Sequence, residues 1–230
     1  MHLNAAWFPN FEAVLWDMDG TILDTEPYWI VAEEELTAEF GLDWSHEQGL
    51  ALAGWGLTHT AQVLHDHGVE LPINVIIDRL TDRVMEQIDI AIPWRPGAAE
   101  LLTDLRKHNV RLAMVTMSIS RMAHRVAQAV PGKPFEIVVS GDMVQDEKPH
   151  PEAYQLALEL LGVQASAAIA IEDSPSGVRS AHAAGVFTVG VTHLIDLSTE
   201  PADLILPTLA GVHGGYLTEA FAQREVNGKP

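Results

Sequence analysis

The sequence predicts an α/β protein in which a Rossmann-like parallel sheet forms the core and a small all-helical cap is inserted after the first strand. Short apolar runs alternate with amphipathic helical segments from residue 94 onward, which is the pattern of a parallel sheet covered by helices on both faces. The segment 27–93 instead shows helical periodicity without a strand-like run. We therefore predict an α/β core formed by 1–26 and 94–230, and a helical cap domain formed by 27–93.

The first strand is the apolar run 13–16, which ends at Asp17 and a polar turn. Helix signals follow, in the form of apolar residues at helical spacing, capping residues and terminating glycines. They predict three cap helices: one with apolar residues from 29 to 40 and an end at Gly41, one capped by Thr58 and ended by Gly68, and one opened by Pro72.

Beyond the Pro- and Gly-containing segment 93–97, helices and strands alternate along the rest of the chain. The predicted helices cover 98–105, 119–129, 154–161 and 174–184, and the predicted strands cover 110–116, 137–139, 168–171, 186–191 and 204–206.

The composition excludes several classes of function. The net charge is −19, from 13 basic and 32 acidic residues, so the surface repels nucleic acids and anionic membranes. Without cysteine the chain forms no disulfide, no thiolate nucleophile and no Cys-based zinc site. No apolar stretch approaches the ~20 residues of a membrane span, and the first residues do not resemble a signal peptide. We expect a cytoplasmic protein with no nucleic-acid or membrane partner, and its oligomeric state stays open.

Polar residues that directly follow strands are the first candidates for function, because ligands of open parallel sheets bind at the carboxyl ends of the strands. Asp17 and Asp19 follow the first strand across a tight turn that Gly20 permits. An ordinary Asp-Gly turn is the alternative interpretation. Glu172 and Asp173 follow the strand 168–171, and carboxylate oxygens of this kind suit Mg²⁺.

Two further signals are weaker when taken alone. Thr116, Met117 and Ser118 offer hydroxyls and backbone amides at a strand end, where they would bind a phosphate oxygen. Helix capping explains such residues equally well. Lys148 lies in a loop stiffened by prolines, although most lysines are simply solvated on the surface.

The combination of these signals, in this order, resembles the haloacid dehalogenase-like hydrolase superfamily, from about residue 11 to residue 206. The helical insertion resembles the cap of the branch that includes phosphoglycolate phosphatase and β-phosphoglucomutase. The four motifs of the family match Asp17-Met18-Asp19-Gly20-Thr21, Thr116, Lys148-Pro149 and Glu172-Asp173.

The resemblance implies a role for each matching residue. Asp17 would be the nucleophile that forms an aspartyl-phosphate, and Asp19 the general acid and base. Thr116 and Lys148 would contact the transferring phosphate. Gly20, Met117 and Ser118 complete the implied phosphate site.

The implied cofactor is Mg²⁺, held by Asp17, the backbone carbonyl of Asp19 and Asp173, with Glu172 as a direct or more distant ligand. A phosphate dianion would not approach clustered carboxylates without such a cation. The sequence departs from the family pattern at Met117, where Asn is common, and at Glu147, where Gly is common. Neither change removes a catalytic group.

The resemblance implies an Mg-dependent phosphatase acting on a small phosphorylated metabolite. A metal-free dehalogenase is disfavoured, because that branch lacks the second carboxylate, here Asp19. A sugar phosphate mutase resembling β-phosphoglucomutase is the main alternative. The basic cap residues of that enzyme match Trp29 and a position near Leu57, which carry no charge. A non-catalytic binding protein of this fold is the remaining alternative.

Trp55, between two glycines, is a candidate substrate-facing residue or a packing residue of the cap.

Overall fold

The computed structural model describes residues 9–52 and 55–226 and contains one six-stranded parallel sheet among them. The strand order is β3-β2-β1-β4-β5-β6, which confirms the predicted fold class. The strands are β1 (Ala13–Trp16), β2 (Arg111–Val115), β3 (Ile137–Val139), β4 (Ala168–Glu172), β5 (Phe187–Val191) and β6 (Leu204–Leu206).

Helices connect the strands and fill the insertion between β1 and β2. Short 3₁₀ turns lie at Gly141–Met143 and Ala165–Ala167. The helices of the described residues are α1 (Glu26–Glu39), α2 (His46–Leu50), α3 (Leu57–His67), α4 (Ile73–Ile90), α5 (Ala98–Lys107), α6 (Ser120–Ala129), α7 (Glu152–Leu161), α8 (Pro175–Ala183) and α9 (Gly214–Val226).

The central strand β1 determines where the polar strand ends meet. It pairs in parallel with β2 on one side and with β4 on the other, and Trp16 is in register with both Met114 and Ile171. All four residues of β1 are fully buried. Because neighbouring parallel strands in this register end at the same edge, Asp17 and the residues that follow β2 and β4 lie side by side.

The sheet is covered by apolar helix faces, as its uniformly apolar central strands require. On one face, Tyr154 and Ala157 of α7 and Ala181 of α8 pack against alternate strand residues such as Leu15 and Val115. Helix α5 contacts strand β2 and also packs against helix α9. Burial of these side chains is the main stabilising term of the core, at roughly 25 cal/mol per Å² of apolar surface.

The chain divides into two compact units. The described residues of Met1–Ile22 and Trp94–Pro230 form one unit, here called the core unit, and Leu23–Pro93 forms the other, here called the helical unit. Within the helical unit, α1 packs on α2 and α4, and α3 packs on α4. The proposed domain boundaries at 26–27 and 93–94 stay a prediction.

One local prediction is wrong, and two helices, the five-residue α2 and α9, were not predicted individually. Thr58 does not cap a helix, because α3 already begins at Leu57 and its N-cap is Gly56. Helix α9 was not predicted, because its start at Gly214 carries no helix-forming signal. Its position is fixed by tertiary packing: the ring of Phe221 makes edge contacts with the rings of Phe11 and Phe187 at 5.6 and 5.5 Å between centroids.

Within the described part of the chain, no helix is both long and apolar enough to cross a lipid bilayer.

Candidate active site

Asp17 lies directly after β1 and is buried. Its Oδ1 accepts a hydrogen bond from the Lys148 ammonium, with 2.8 Å between Nζ and Oδ1. The Lys148 side chain is itself only 3% exposed. The structure therefore brings together two residues that are 131 positions apart in the sequence.

The Lys148 ammonium has an oxygen partner for each of its three N–H groups. Besides Asp17, it donates to Glu172 Oε1 at 2.6 Å and to the backbone carbonyl of Val115 at 2.9 Å. In this arrangement no hydrogen of Lys148 is left for a phosphate oxygen. The structure therefore shows Lys148 bound to Asp17 and Glu172, and its contact with a phosphate stays a prediction.

Glu172 is the last residue of β4 and is completely buried. In addition to Lys148, the Tyr154 hydroxyl donates to its Oε1 at 2.7 Å and the Ser174 hydroxyl donates to its Oε2 at 3.2 Å. Gly177 lies so close that a Cβ there would collide with the Glu172 carboxylate. Donors on both oxygens hold this carboxylate in one orientation.

Asp173 lies beside Asp17 and faces the turn that follows β1. Its Oδ1 accepts a hydrogen bond of 3.3 Å from the Thr21 hydroxyl. Gly20 has a positive φ of 81°, and a Cβ at this position would collide with the Asp173 carboxylate. Glycine is therefore needed at position 20 for two reasons, the left-handed backbone and the close approach of Asp173.

Asp19 lies at the same edge and interacts with residues that follow β2. The Ser118 hydroxyl donates to Asp19 Oδ2 at 2.7 Å, and the Thr116 hydroxyl donates to the same oxygen at 3.4 Å. Thr116 Oγ1 in turn accepts from the backbone N–H of Ser118 at 3.0 Å. The predicted phosphate-binding hydroxyls thus hold Asp19 in place.

The side chain of Met117 contacts the loop of Lys148. Its sulfur accepts a hydrogen bond from the backbone N–H of Lys148 at 3.4 Å. Its backbone carbonyl is so close to Gly141 that a Cβ there would collide with it. Met117 therefore connects the end of β2 to the lysine loop.

Asp17, Glu172 and Asp173 form a compact group of possible metal ligands. One carboxylate oxygen of each lies within 4.8 Å of those of the other two. Burial, followed by the charge of Glu172, raises the pKa of Asp17 to about 7, although Lys148 lowers it. Burial and the charges of Asp17 and Glu172 also hold the pKa of Asp173 well above its usual range. Three crowded carboxylates, of which Asp173 is half-buried and the other two are buried, favour an additional cation beside the lysine.

A second group of possible ligands, Asp146, His150 and Glu152, lies near the N-terminus of α7, and Asp146 and His150 are exposed there. The Glu152 carboxylate already accepts the backbone N–H groups of Gln145 and Asp146 at 3.0 and 2.9 Å. These bonds explain Glu152 as a residue that holds the preceding loop against the start of α7.

Trp55 belongs to the helical unit, and its neighbour Gly54 lies outside the described residues. Its side chain is 60% exposed and stacks on the His59 ring, with 4.3 Å between the ring centroids. Core packing is therefore not its role, and contact with a substrate stays a prediction.

Sequence reasoning missed the groups that support the carboxylates. Tyr154 lies on the apolar face that predicts the helix 154–161, yet its hydroxyl donates to Glu172. The available signal was a single hydroxyl in an otherwise apolar helix face that packs on a strand ending in a carboxylate. Gly177 carried no signal, because its role depends on a close approach that only coordinates reveal.

Comparisons with known proteins show which family the chain is similar to. The family model of haloacid dehalogenase-like hydrolases matches residues 14–191. Protein CbbY from Cereibacter sphaeroides is 35% identical over 190 residues, which cover 76% of this chain and 81% of that protein. A phosphorylated carbohydrates phosphatase from Thermotoga maritima is 30% identical over 191 residues, or 80% of this chain and 87% of that protein.

A crystal structure of a CbbY variant from Rhodobacter sphaeroides with xylulose-1,5-bisphosphate has a TM-score of 0.77 and 29% identity. The match covers 87% of this chain and 95% of that one. The chain belongs to the haloacid dehalogenase-like hydrolase family, in the branch of phosphoglycolate phosphatase and β-phosphoglucomutase, and is a phosphoric monoester hydrolase of that family.

Proposed function

We propose that this protein is an Mg²⁺-dependent phosphatase that transfers the phosphoryl group of a small phosphorylated metabolite to Asp17 and then to water. The observation that carries the proposal is the compact group of three carboxylates at the ends of β1 and β4, with a lysine bound to two of them. Such a site is too negative for a phosphate ester alone and is suited to an ester accompanied by a metal ion.

The donor set fits magnesium. Asp17, Asp173 and the backbone carbonyl of Asp19 are the proposed ligands, and Glu172 is the more distant carboxylate, because its oxygens already bond to Lys148, Tyr154 and Ser174. All of these are oxygen donors, which Mg²⁺ prefers over nitrogen and sulfur. When bound, the ion would neutralise charge on the phosphoryl oxygens.

Asp17 is the proposed nucleophile. Burial raises its pKa to about 7, and the bond from Lys148 opposes this shift and favours the ionised form that attacks phosphorus. The attack breaks the bond between phosphorus and the leaving alcohol and forms an aspartyl-phosphate. Water then attacks the same phosphorus, which releases phosphate and restores the carboxylate.

Asp19 is the proposed general acid and base. It would give a proton to the leaving alcohol in the first step and take one from the attacking water in the second. Ser118 and Thr116 bond to its Oδ2, so they orient the carboxylate for both transfers. Backbone N–H groups after β2 remain the proposed contacts of the phosphate, together with Gly20.

Sugar phosphates are the proposed substrate class. Several relatives are named for phosphatases of phosphorylated carbohydrates, fructose 1-phosphate and hexitols. The exposed indole of Trp55 offers an apolar face of the kind on which a sugar ring stacks. We place this activity in the cytoplasm, where a chain without cysteine is at no disadvantage.

The test is hydrolysis of p-nitrophenyl phosphate with Mg²⁺ and with excess EDTA. We expect turnover only with the metal, and undiminished turnover in EDTA would contradict the proposal. A panel of sugar phosphates, with release of inorganic phosphate as the readout, then defines the substrate. Conversion of β-glucose 1-phosphate to glucose 6-phosphate without free phosphate would replace the phosphatase by a mutase.

A further inference from the structure

A cavity of about 330 Å³ lies in the core unit and shares no residue with the carboxylate group described above. Its walls include Trp94, Leu102 and the loop after α6, and its polar groups include Arg106 and Lys107. This volume is at the lower end of the range of small-molecule sites, ~300–1,000 Å³. The cavity is therefore large enough for a small organic molecule.

Two cationic side chains, Arg106 and Lys107, line the cavity at its exposed side. Neither the guanidinium of Arg106 nor the ammonium of Lys107 forms a hydrogen bond or ion pair within residues 9–52 and 55–226. In contrast, Arg79 and Arg111 are paired with Glu39 and Glu136. Both side chains are solvent-exposed and lie next to each other on a chain of net charge −19, in which acidic side chains outnumber basic ones by 32 to 13.

The loop on the other side of the cavity has an unusual backbone. Gly132 and Lys133, between the two lining prolines Pro131 and Pro134, have positive φ angles of 78° and 46°. The left-handed conformation is rare for lysine and costs of order 1 kcal/mol. A Cβ at position 132 would collide with the Arg106 guanidinium, so this loop conformation brings its backbone against the cation.

The charged part of the cavity lies at the opposite edge of the sheet from Asp17. Arg106 and Lys107 are in the last turn of α5, which leads into the first residue of β2 at Arg111. The loop 131–134 leads into the first residue of β3. The amino ends of parallel strands meet at one edge and their carboxyl ends at the other. A ligand here would not compete with a phosphate at Asp17.

We propose that this cavity is a second binding site for a small anionic molecule with an aromatic ring. The indole of Trp94 and the flat faces of Pro131 and Pro134 provide apolar walls for the ring. Arg106 and Lys107 provide the counter-charges for one acidic group. The occupant is defined by charge complementarity, because any anion that enters leaves the acidic surface and reaches two cations without partners.

The test is a titration of the full-length, Mg²⁺-saturated enzyme with naphthalenesulfonate and with the uncharged naphthalenesulfonamide, followed by ¹⁵N NMR. We expect the sulfonate to shift the Trp94 indole N–H and the backbone N–H of Thr103, Arg106 and Gly132. The sulfonamide should bind at least about tenfold more weakly, because it lacks the charge. Shifts confined to other parts of the chain, or equal binding of both probes, would overturn the proposal.

Variants assign the effect to the two cations. Arg106→Ala with Lys107→Ala should weaken sulfonate binding by about tenfold or more, and Arg79→Ala should not weaken it, although it removes the same type of charge elsewhere. Cations in the last turn of a helix also stabilise it, so circular dichroism must show that the double variant is folded.

Thr103→Phe, at an exposed helix position, is the second variant: its ring should fill the cavity and block both probes. Unchanged binding in both variants would refute the site.

Discussion

The carboxylates of the core unit and the carboxylate of Glu33 in the helical unit are both buried, but they differ in their neighbours. Burial raises the pKa of Asp17 to about 7 and that of Glu33 to about 8. Asp17 lies within a group of three carboxylates and is bound to a lysine. Glu33 is 3% exposed and accepts one hydrogen bond, from the Trp44 indole at 3.2 Å.

This difference shows that a raised pKa does not by itself identify a catalytic group. A single buried carboxyl such as Glu33 becomes neutral by taking up a proton, and it then serves as a packed polar residue. Crowded carboxylates also repel one another, which contributes to the raised pKa of Asp17 and Asp173, and a further cation relieves this repulsion. The clustering of acids, more than their burial, distinguishes the candidate active site.

The largest expected effect separates these two regions directly. Asp17→Asn removes the nucleophile and should lower hydrolysis of p-nitrophenyl phosphate by several orders of magnitude. Glu33→Gln, a matched change at the other buried carboxylate, should leave the rate within about threefold of the parent. Steady-state kinetics with Mg²⁺ measures both. Equal losses of activity in the two variants would mean that the clustered carboxylates are no more important for hydrolysis than the isolated Glu33.

Lys148→Met tests whether the buried ammonium acts through its charge. Its loss leaves Asp17 and Glu172 without their shared cation and should lower the turnover rate by about 10²–10³-fold. Lys107→Met, which removes an exposed ammonium from the same unit, is the control and should have no effect on turnover. A Lys148→Met enzyme with the activity of the control would show that the charge is dispensable.

The pH dependence of stability should reveal the titration of Glu33. Its folded-state pKa of about 8 lies above the ordinary value of 4.5, mainly through burial and also through the charges of Glu26 and Glu34. The stability associated with its protonated form is present below pH 4.5 and is lost as the pH rises to about 8. Since Gln cannot ionise, Glu33→Gln should be more stable than the parent at pH 9 by roughly 3 kcal/mol. Urea unfolding between pH 4.5 and 9 measures the free energy of unfolding of both proteins. If this free energy changed with pH in the same way in both, the predicted titration of Glu33 would be wrong.

The smallest expected effect concerns the hydrogen bond from the Tyr154 hydroxyl to Glu172. Tyr154→Phe removes the hydroxyl that donates to Glu172 Oε1 and should lower the free energy of unfolding by about 2 kcal/mol. Tyr216→Phe, at a side chain that is 39% exposed, should have almost no effect. Chemical denaturation of the three proteins checks this ranking. Similar stabilities for both variants would mean that the Tyr154 hydroxyl contributes nothing.

The sequence was sufficient to predict the sheet and the meeting point of its strand ends. Asp17, Thr116 and Glu172 each follow an apolar run, and parallel register brings such positions to one edge. Lys148 was only a weak signal by itself, because its loop has no periodic pattern, and the family resemblance identified it as a site residue.

The remaining features depend on distances that a sequence pattern does not contain. Full use of the three Lys148 donors requires the carbonyl of Val115 to face the ammonium. The burial of Glu33 requires the close approach of Gly49, where a Cβ would lie 3.1 Å from Glu33 Oε2. In the sequence, Glu33 begins a run of three glutamates, which is typical of a solvated helix face.

The central claim is that the clustered carboxylates of the core unit bind a divalent cation. Isothermal titration calorimetry with Mg²⁺, on the parent, Asp173→Asn and Glu33→Gln, tests it without any assumption about the substrate. We expect one Mg²⁺ per chain for the parent and for Glu33→Gln, and binding at least about tenfold weaker for Asp173→Asn. Equal Mg²⁺ binding by the parent and Asp173→Asn, or no binding by the parent, would contradict it.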